Sequence, residues 1–159
     1  MKKRREEPVV FETEVRQRFR FLVDDYDMPD PTYTEDLLPV VWYQRPDLLV
    51  SVSWERGPRD SAGIVVSADL LIPDQRSRAD LPDLVEAAVF APRHRVPWQS
   101  YGVEVVRSTL EQNATWLRRL MPLLLGPDRE ELVRKANEQP LDRAGNPKRR
   151  PPGITWKYA

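Results

Sequence analysis

Two stretches of residue alternation, close together in the chain, set the strongest limit on the fold. From 48 to 55, Leu48, Val50, Val52 and Trp54 fall on one side, and Leu49, Ser51, Ser53 and Glu55 on the other. From 64 to 72, Ile64, Val66, Ala68, Leu70 and Ile72 oppose Val65, Ser67, Asp69 and Leu71. A period of two marks a half-buried strand. A shorter run, Val40 to Gln44, is apolar on both sides and reads as the best covered strand. Arg45-Pro46-Asp47 is a tight turn, and residues 56–62 make a longer loop with Gly57, Pro58, Asp60 and Ser61. Links this short join antiparallel neighbours, because a parallel pair needs a crossover of a dozen or more residues. The second face carries Leu49, Val65 and Leu71 among its polar residues, which reads either as ordinary apolar exposure or as a binding patch.

The flanking segments read as helices. Phe11, Val15, Phe19, Leu22, Val23 and Tyr26 recur every three or four residues, predicting a helix over 11–26. Leu81, Leu84, Val85, Ala88 and Val89 predict a short helix after an N-cap at Asp80. Val103, Val106, Leu110, Ala114, Leu117, Leu120, Met121 and Leu124 form the longest stripe, with a kink or a break expected near Leu120 because Pro122 follows. Gly126 suits the position after that helix, and Asp128 with Glu131 has the spacing of a capping box for a helix over 129–137. The expected fold is α+β, a three-stranded antiparallel meander covered mainly on one face by helices. The expected core is Phe19, Leu22, Val23, Val50, Val52, Trp54, Val66, Leu70, Leu110, Leu117 and Leu120.

At 159 residues the chain reads as a single domain over 10–137, between a flexible basic segment 1–9 and a proline-rich basic tail 138–159. Lysine and arginine number 25, as do aspartate and glutamate, yet residues 8–137 hold 16 basic and 21 acidic side chains. The domain is therefore acidic and its ends are basic. The final aromatic stretch, Ile154 to Tyr158, is suited to adding to a sheet edge. The basic start is not followed by the apolar run of a signal peptide, and no apolar run approaches the length a membrane helix needs. With no cysteine, disulfides, thiol catalysis and cysteine-based metal sites are excluded, and a cytoplasmic location is expected.

The most unusual stretch is 24–36. Asp24, Asp25, Asp27, Asp30, Glu35 and Asp36 are interleaved with Tyr26 and Tyr33, without one basic residue. A calcium loop would need alternate oxygen ligands and a glycine at its turn, and neither is present. A solvated connection and a docking surface for a basic partner are the other two readings. In the second, carboxylates steer the partner and tyrosines supply contact area. The basic ends, Lys2, Lys3, Arg4, Arg5, Lys148, Arg149 and Arg150, are the candidates for a nucleic-acid role. His94 is the sole histidine and stands between Arg93 and Arg95, a poor setting for a metal ligand. No nucleotide loop, zinc-protease motif or nucleophile elbow occurs. A carboxylate enzyme is left with Glu104 or Asp69 as a nominal candidate. No metal or cofactor is expected, and a non-enzymatic role is favoured.

The segment Phe19-Arg20-Phe21-Leu22-Val23-Asp24-Asp25-Tyr26 resembles the opening of short uncharacterised actinobacterial proteins. The Leu117–Leu125 segment, with Gly126 and Asp128 after it, is similar to their closing helix. Small α+β proteins of that kind look like immunity proteins of bacterial toxin systems. The resemblance implies a protein-binding inhibitor rather than an enzyme, and it transfers no site residue.

Overall fold

The computed structural model describes residues 3–56, 62–73, 75–100, 102–138 and 157, with the side chains of 3–9, 56, 62 and 75 left aside. The loop expected over 56–62 lies largely outside the described residues, as do Lys2 and almost all of the tail with Lys148, Arg149 and Arg150. Nothing about the side chains of Lys3, Arg4 and Arg5 is described either.

In chain order, α1 spans Lys3–Arg18 and α2 Phe21–Asp24. Five strands follow: β1 Thr32–Thr34, β2 Val40–Arg45, β3 Leu48–Arg56, β4 Ala62–Ile72 and β5 Gln75–Asp80. Then come α3 Leu81–Ala87, a 3-10 turn Arg93–Arg95, α4 Val103–Leu124 and α5 Arg129–Asn137. The class is α+β. All strands pair antiparallel in the order β1-β2-β3-β4-β5, so the three-stranded meander is the centre of a five-stranded one. Val52 faces Val41 on β2 and Val66 on β4, which is the register of the alternation.

The two added strands lie where the sequence reads as loop. β5, Gln-Arg-Ser-Arg-Ala-Asp, offers one apolar side chain, Ala79, to the core. Its backbone groups are satisfied by pairing with β4, which no local pattern announces. β1 is three residues long and pairs with β2.

One face of the sheet is the core. Val41, Tyr43, Leu48, Val50, Val52, Val66, Ala68 and Leu70 are all at most 2% exposed beneath α1, α3 and α4. Of the expected core residues only Val23 and Trp54 are half-buried rather than buried. Trp54 still packs on Phe11 of α1, with ring centroids 5.8 Å apart. The predicted first helix is displaced and divided: α1 starts ahead of Phe11 and the chain turns at 19–20 before α2. α4 runs on to Leu124 without a break. Pro122 falls in its last turn, where it removes a single backbone hydrogen bond near an end that has few left.

Two further corrections concern β2 and the caps. β2 is covered on one face only: Val41 and Tyr43 are buried, whereas Trp42 is 36% exposed. Asp80 and Asp128 occupy the N-cap positions of α3 and α5, but neither side chain caps its helix. The capping box is absent because Glu131 is engaged by Arg134 (2.9 Å) one turn further on. Buried Glu14 ties α1 to α4 by accepting a 2.8 Å hydrogen bond from Arg107 Nε.

Candidate functional site

The acidic segment is held in place by its apolar members. Phe21, Leu22 and Met28 are buried, and the Met28 amide donates to Leu22 O (3.1 Å), closing a tight turn. Asp27 takes a left-handed backbone (φ 54), a conformation aspartate tolerates better than most residues. With those anchors inside, Asp24, Asp25, Asp27 and Asp30 project into solvent, as do Glu35 and Asp36 after β1. Asp24 accepts a 3.2 Å bond from Arg20 Nε, an exposed pair worth little. Tyr26 stands edge-on to Phe21 (6.3 Å) and is half-buried. Tyr33 donates to Glu35 Oε2 (3.0 Å). Burial first, and the hydrogen bond to Glu35 second, push the Tyr33 hydroxyl up to about 12. All six sequence-predicted carboxylates are exposed, Asp36 among the residues lining a recess on the second sheet face, and part of the stretch read as a loop is the edge strand β1.

The second face of the sheet is largely open among the described residues, with the Trp98 ring lying against Gly63, the partner of Glu55. It holds a recess of about 380 Å³ lined by Thr34, Asp36, Leu37, Leu38, Val40, Trp42, Leu49, Ser51, Ser53, Glu55, Arg76 and Arg78. Its apolar wall includes Leu37, 98% exposed, and Trp42. Polar groups beside it are unusually well buried for an uncovered face. Ser67 and Asp69 are each 1% exposed and Ser53 is 5% exposed. Ser51 and Ser67 share a hydrogen bond of 2.7 Å across β3 and β4. Arg76 Nε donates to Asp69 Oδ2 (2.6 Å), and Arg78 Nε stands 4.0 Å from Asp69 Oδ1. Asp69 Oδ1 itself has no hydrogen-bond partner within the described residues. Of the three apolar residues read on this face in sequence, Leu49, Val65 and Leu71, only Leu49 lines the recess. Trp42, Arg76 and Arg78 went unread, because their position depends on pairing between distant strands.

The nominal catalytic carboxylates are not brought together. Asp69 lies on the uncovered sheet face, whereas Glu104 belongs to α4 on the covered side, exposed and paired with Arg107 (3.2 Å). His94 is exposed in the 3-10 turn. No group of three His, Asp or Glu side chains among the described residues is placed to hold a metal ion. No described helix is long and apolar enough to cross a membrane. Comparison with protein-family models, curated proteins and solved structures finds no match.

Proposed function

We propose that this chain is a non-enzymatic intracellular protein-binding module, of the immunity-inhibitor kind, that engages a basic partner through its acidic segment. The observation that carries this reading is the exposure of all six carboxylates between Asp24 and Asp36 on one buried-anchor scaffold. Two half-buried tyrosines among them add amphipathic contact area with little entropy to lose. Exposed carboxylates raise the association rate for a basic partner and disfavour acidic ones. The nucleic-acid alternative rests on the two basic ends, which lie outside the described side chains, so the fold adds nothing in its favour.

The test is complex formation at two ionic strengths with wild type and with the variant Asp24→Asn, Asp25→Asn, Asp27→Asn, Asp30→Asn. The partner captured by wild type should dissociate as salt rises and bind the variant at least about tenfold more weakly, a loss of about 1.4 kcal/mol. Equal capture by the variant refutes the assignment to this segment.

A further inference from the structure

We infer that the recess on the uncovered sheet face is a groove for an extended peptide segment of a partner protein, one carrying a basic side chain at one end and an acidic side chain at the other. This rests on the protein-binding reading and adds the chemistry of what is bound.

The groove has a direction. β3 runs along its floor with Leu49, Ser51, Ser53 and Glu55, alternate residues of one strand. Six residues of strand span about 20 Å, the length of a six-residue extended peptide. Its two ends differ in charge. The Trp54 amide donates to Pro39 O (2.9 Å), which brings the loop between β1 and β2 to the Glu55 end. Asp36 and Glu55 therefore both line the recess toward that end. At the other end Leu49 pairs with Asp69, and Asp69 with Arg78, so both guanidinium groups belong to the Leu49 end. Between the ends, Leu37, Leu38, Val40 and Trp42 form an apolar wall.

Two details favour a peptide with one charge of each sign. Arg76 is committed to the buried Asp69 carboxylate. Arg78 is only loosely held, its Nε 4.0 Å from Asp69 and 3.8 Å from Asp80, beyond hydrogen-bond length, so it can turn to a carboxylate on a ligand. A phosphate backbone or an anionic membrane would meet Asp36 and Glu55 at the opposite end and be repelled. An extended segment instead sets its cation against those carboxylates, an apolar side chain over Trp42, and its own carboxylate near Arg78. Alternate side chains then point into the groove, as they do along any extended chain.

The experiment uses the full chain and three fluorescein-labelled, end-blocked hexapeptides with leucine at the centre. One has lysine near one end and glutamate near the other, one lysine at both, one glutamate at both. Fluorescence anisotropy at low salt should show the mixed peptide binding at least about tenfold tighter than either comparator. Trp42→Ala and Leu37→Asp should each weaken it by at least about tenfold with thermal melting unchanged. Asp36→Lys with Glu55→Lys should transfer the preference to the peptide with glutamate at both ends. A mixed peptide bound no tighter than the comparators overturns the inference, as does indifference to Trp42→Ala or a flat titration into the millimolar range. Equal displacement by free lysine or glutamate also overturns it, because it identifies a small-molecule site. Failure here is separable from failure of the parent reading. A partner captured equally by wild type and Trp42→Ala leaves the binding module and removes the groove, whereas a groove that works beside an inert acidic segment does the reverse.

Discussion

The two faces of the one sheet are built from neighbouring residues of the same strands, yet they obey different rules. On the covered face Val50, Val52, Val66 and Leu70 are packed under helices, and each is replaceable only by something apolar of similar volume. On the uncovered face Ser53, Ser67 and Asp69 are also buried, but as polar groups among polar neighbours: Ser67 bonds Ser51, and Asp69 bonds Arg76. Burial on the first face stabilises through apolar area, whereas on the second it depends on each polar group finding a partner. The lesson is that low exposure on this sheet means two different things. The polar version is found beside the recess, where an incompletely satisfied carboxylate is tolerated.

The largest contrast should come from one substitution on each face. Val52→Asp places an unpaired carboxylate in the core and should abolish the folded state, read by circular dichroism and thermal melting. Trp42→Ala, one residue along β2 from Val52's partner Val41, should leave melting close to wild type because its ring is partly solvated. Melting of Val52→Asp like wild type would sink the register assigned to β3.

A smaller effect sharpens the comparison on the uncovered face. Arg76→Ala strips Asp69 of its hydrogen-bonded cation and should cost about 1–3 kcal/mol in chemical denaturation. Adding Asp69→Ala should restore part of that loss, since the stranded carboxylate is then gone. A cost below about 0.5 kcal/mol would mean that Asp69 is not desolvated as its burial implies.

Beyond the sheet, Val89 holds a left-handed backbone (φ 59), a costly conformation for a β-branched residue, while its carbonyl accepts the Lys157 amide (2.9 Å). Val89→Gly should stabilise the fold by about 1 kcal/mol in denaturant titration, and a destabilisation would show that the valine side chain matters more than the strain.

The smallest effect concerns pH. Burial raises the Asp80 carboxyl above its ordinary value, and Arg78 counters this only in part. The folded state therefore holds the proton more tightly than the unfolded chain, and the ionised group opposes folding at neutral pH. That opposition is fully present above the folded-state value and is relieved as pH falls toward the ordinary carboxylate range. Asp80→Asn should raise the melting temperature slightly at pH 7, and the gain should vanish under acid conditions. A gain independent of pH would point away from the carboxylate charge.

Legibility varied with how local the cause of each feature is. The exposure of Asp24, Asp25, Asp27 and Asp30 could be read from the chain, because charged side chains stay in water wherever the backbone takes them. The recess could not, because its lining runs from Thr34 to Arg78 across four strands and a loop. The N-caps at Asp80 and Asp128 were placed correctly by spacing, but spacing does not decide which group a carboxylate side chain bonds.

What the sequence determined by itself was periodic. The alternation of β3 and β4 set the face that would be covered and excluded any register shifted by one residue, because such a shift would turn every apolar side chain to water. The stripe of α4 likewise chose its buried side, with Leu110, Leu117 and Leu120 all at most 1% exposed. Only the tertiary structure decided that the polar segments at 32–34 and 75–80 are strands. Their backbone groups gain partners from β2 and β4, a long-range pairing that leaves no trace in local composition. The same pairing carries Arg78 to Asp69 and brings the loop bearing Asp36 to the Glu55 end of β3, so the shape and polarity of the recess were set by neighbours far away in the chain.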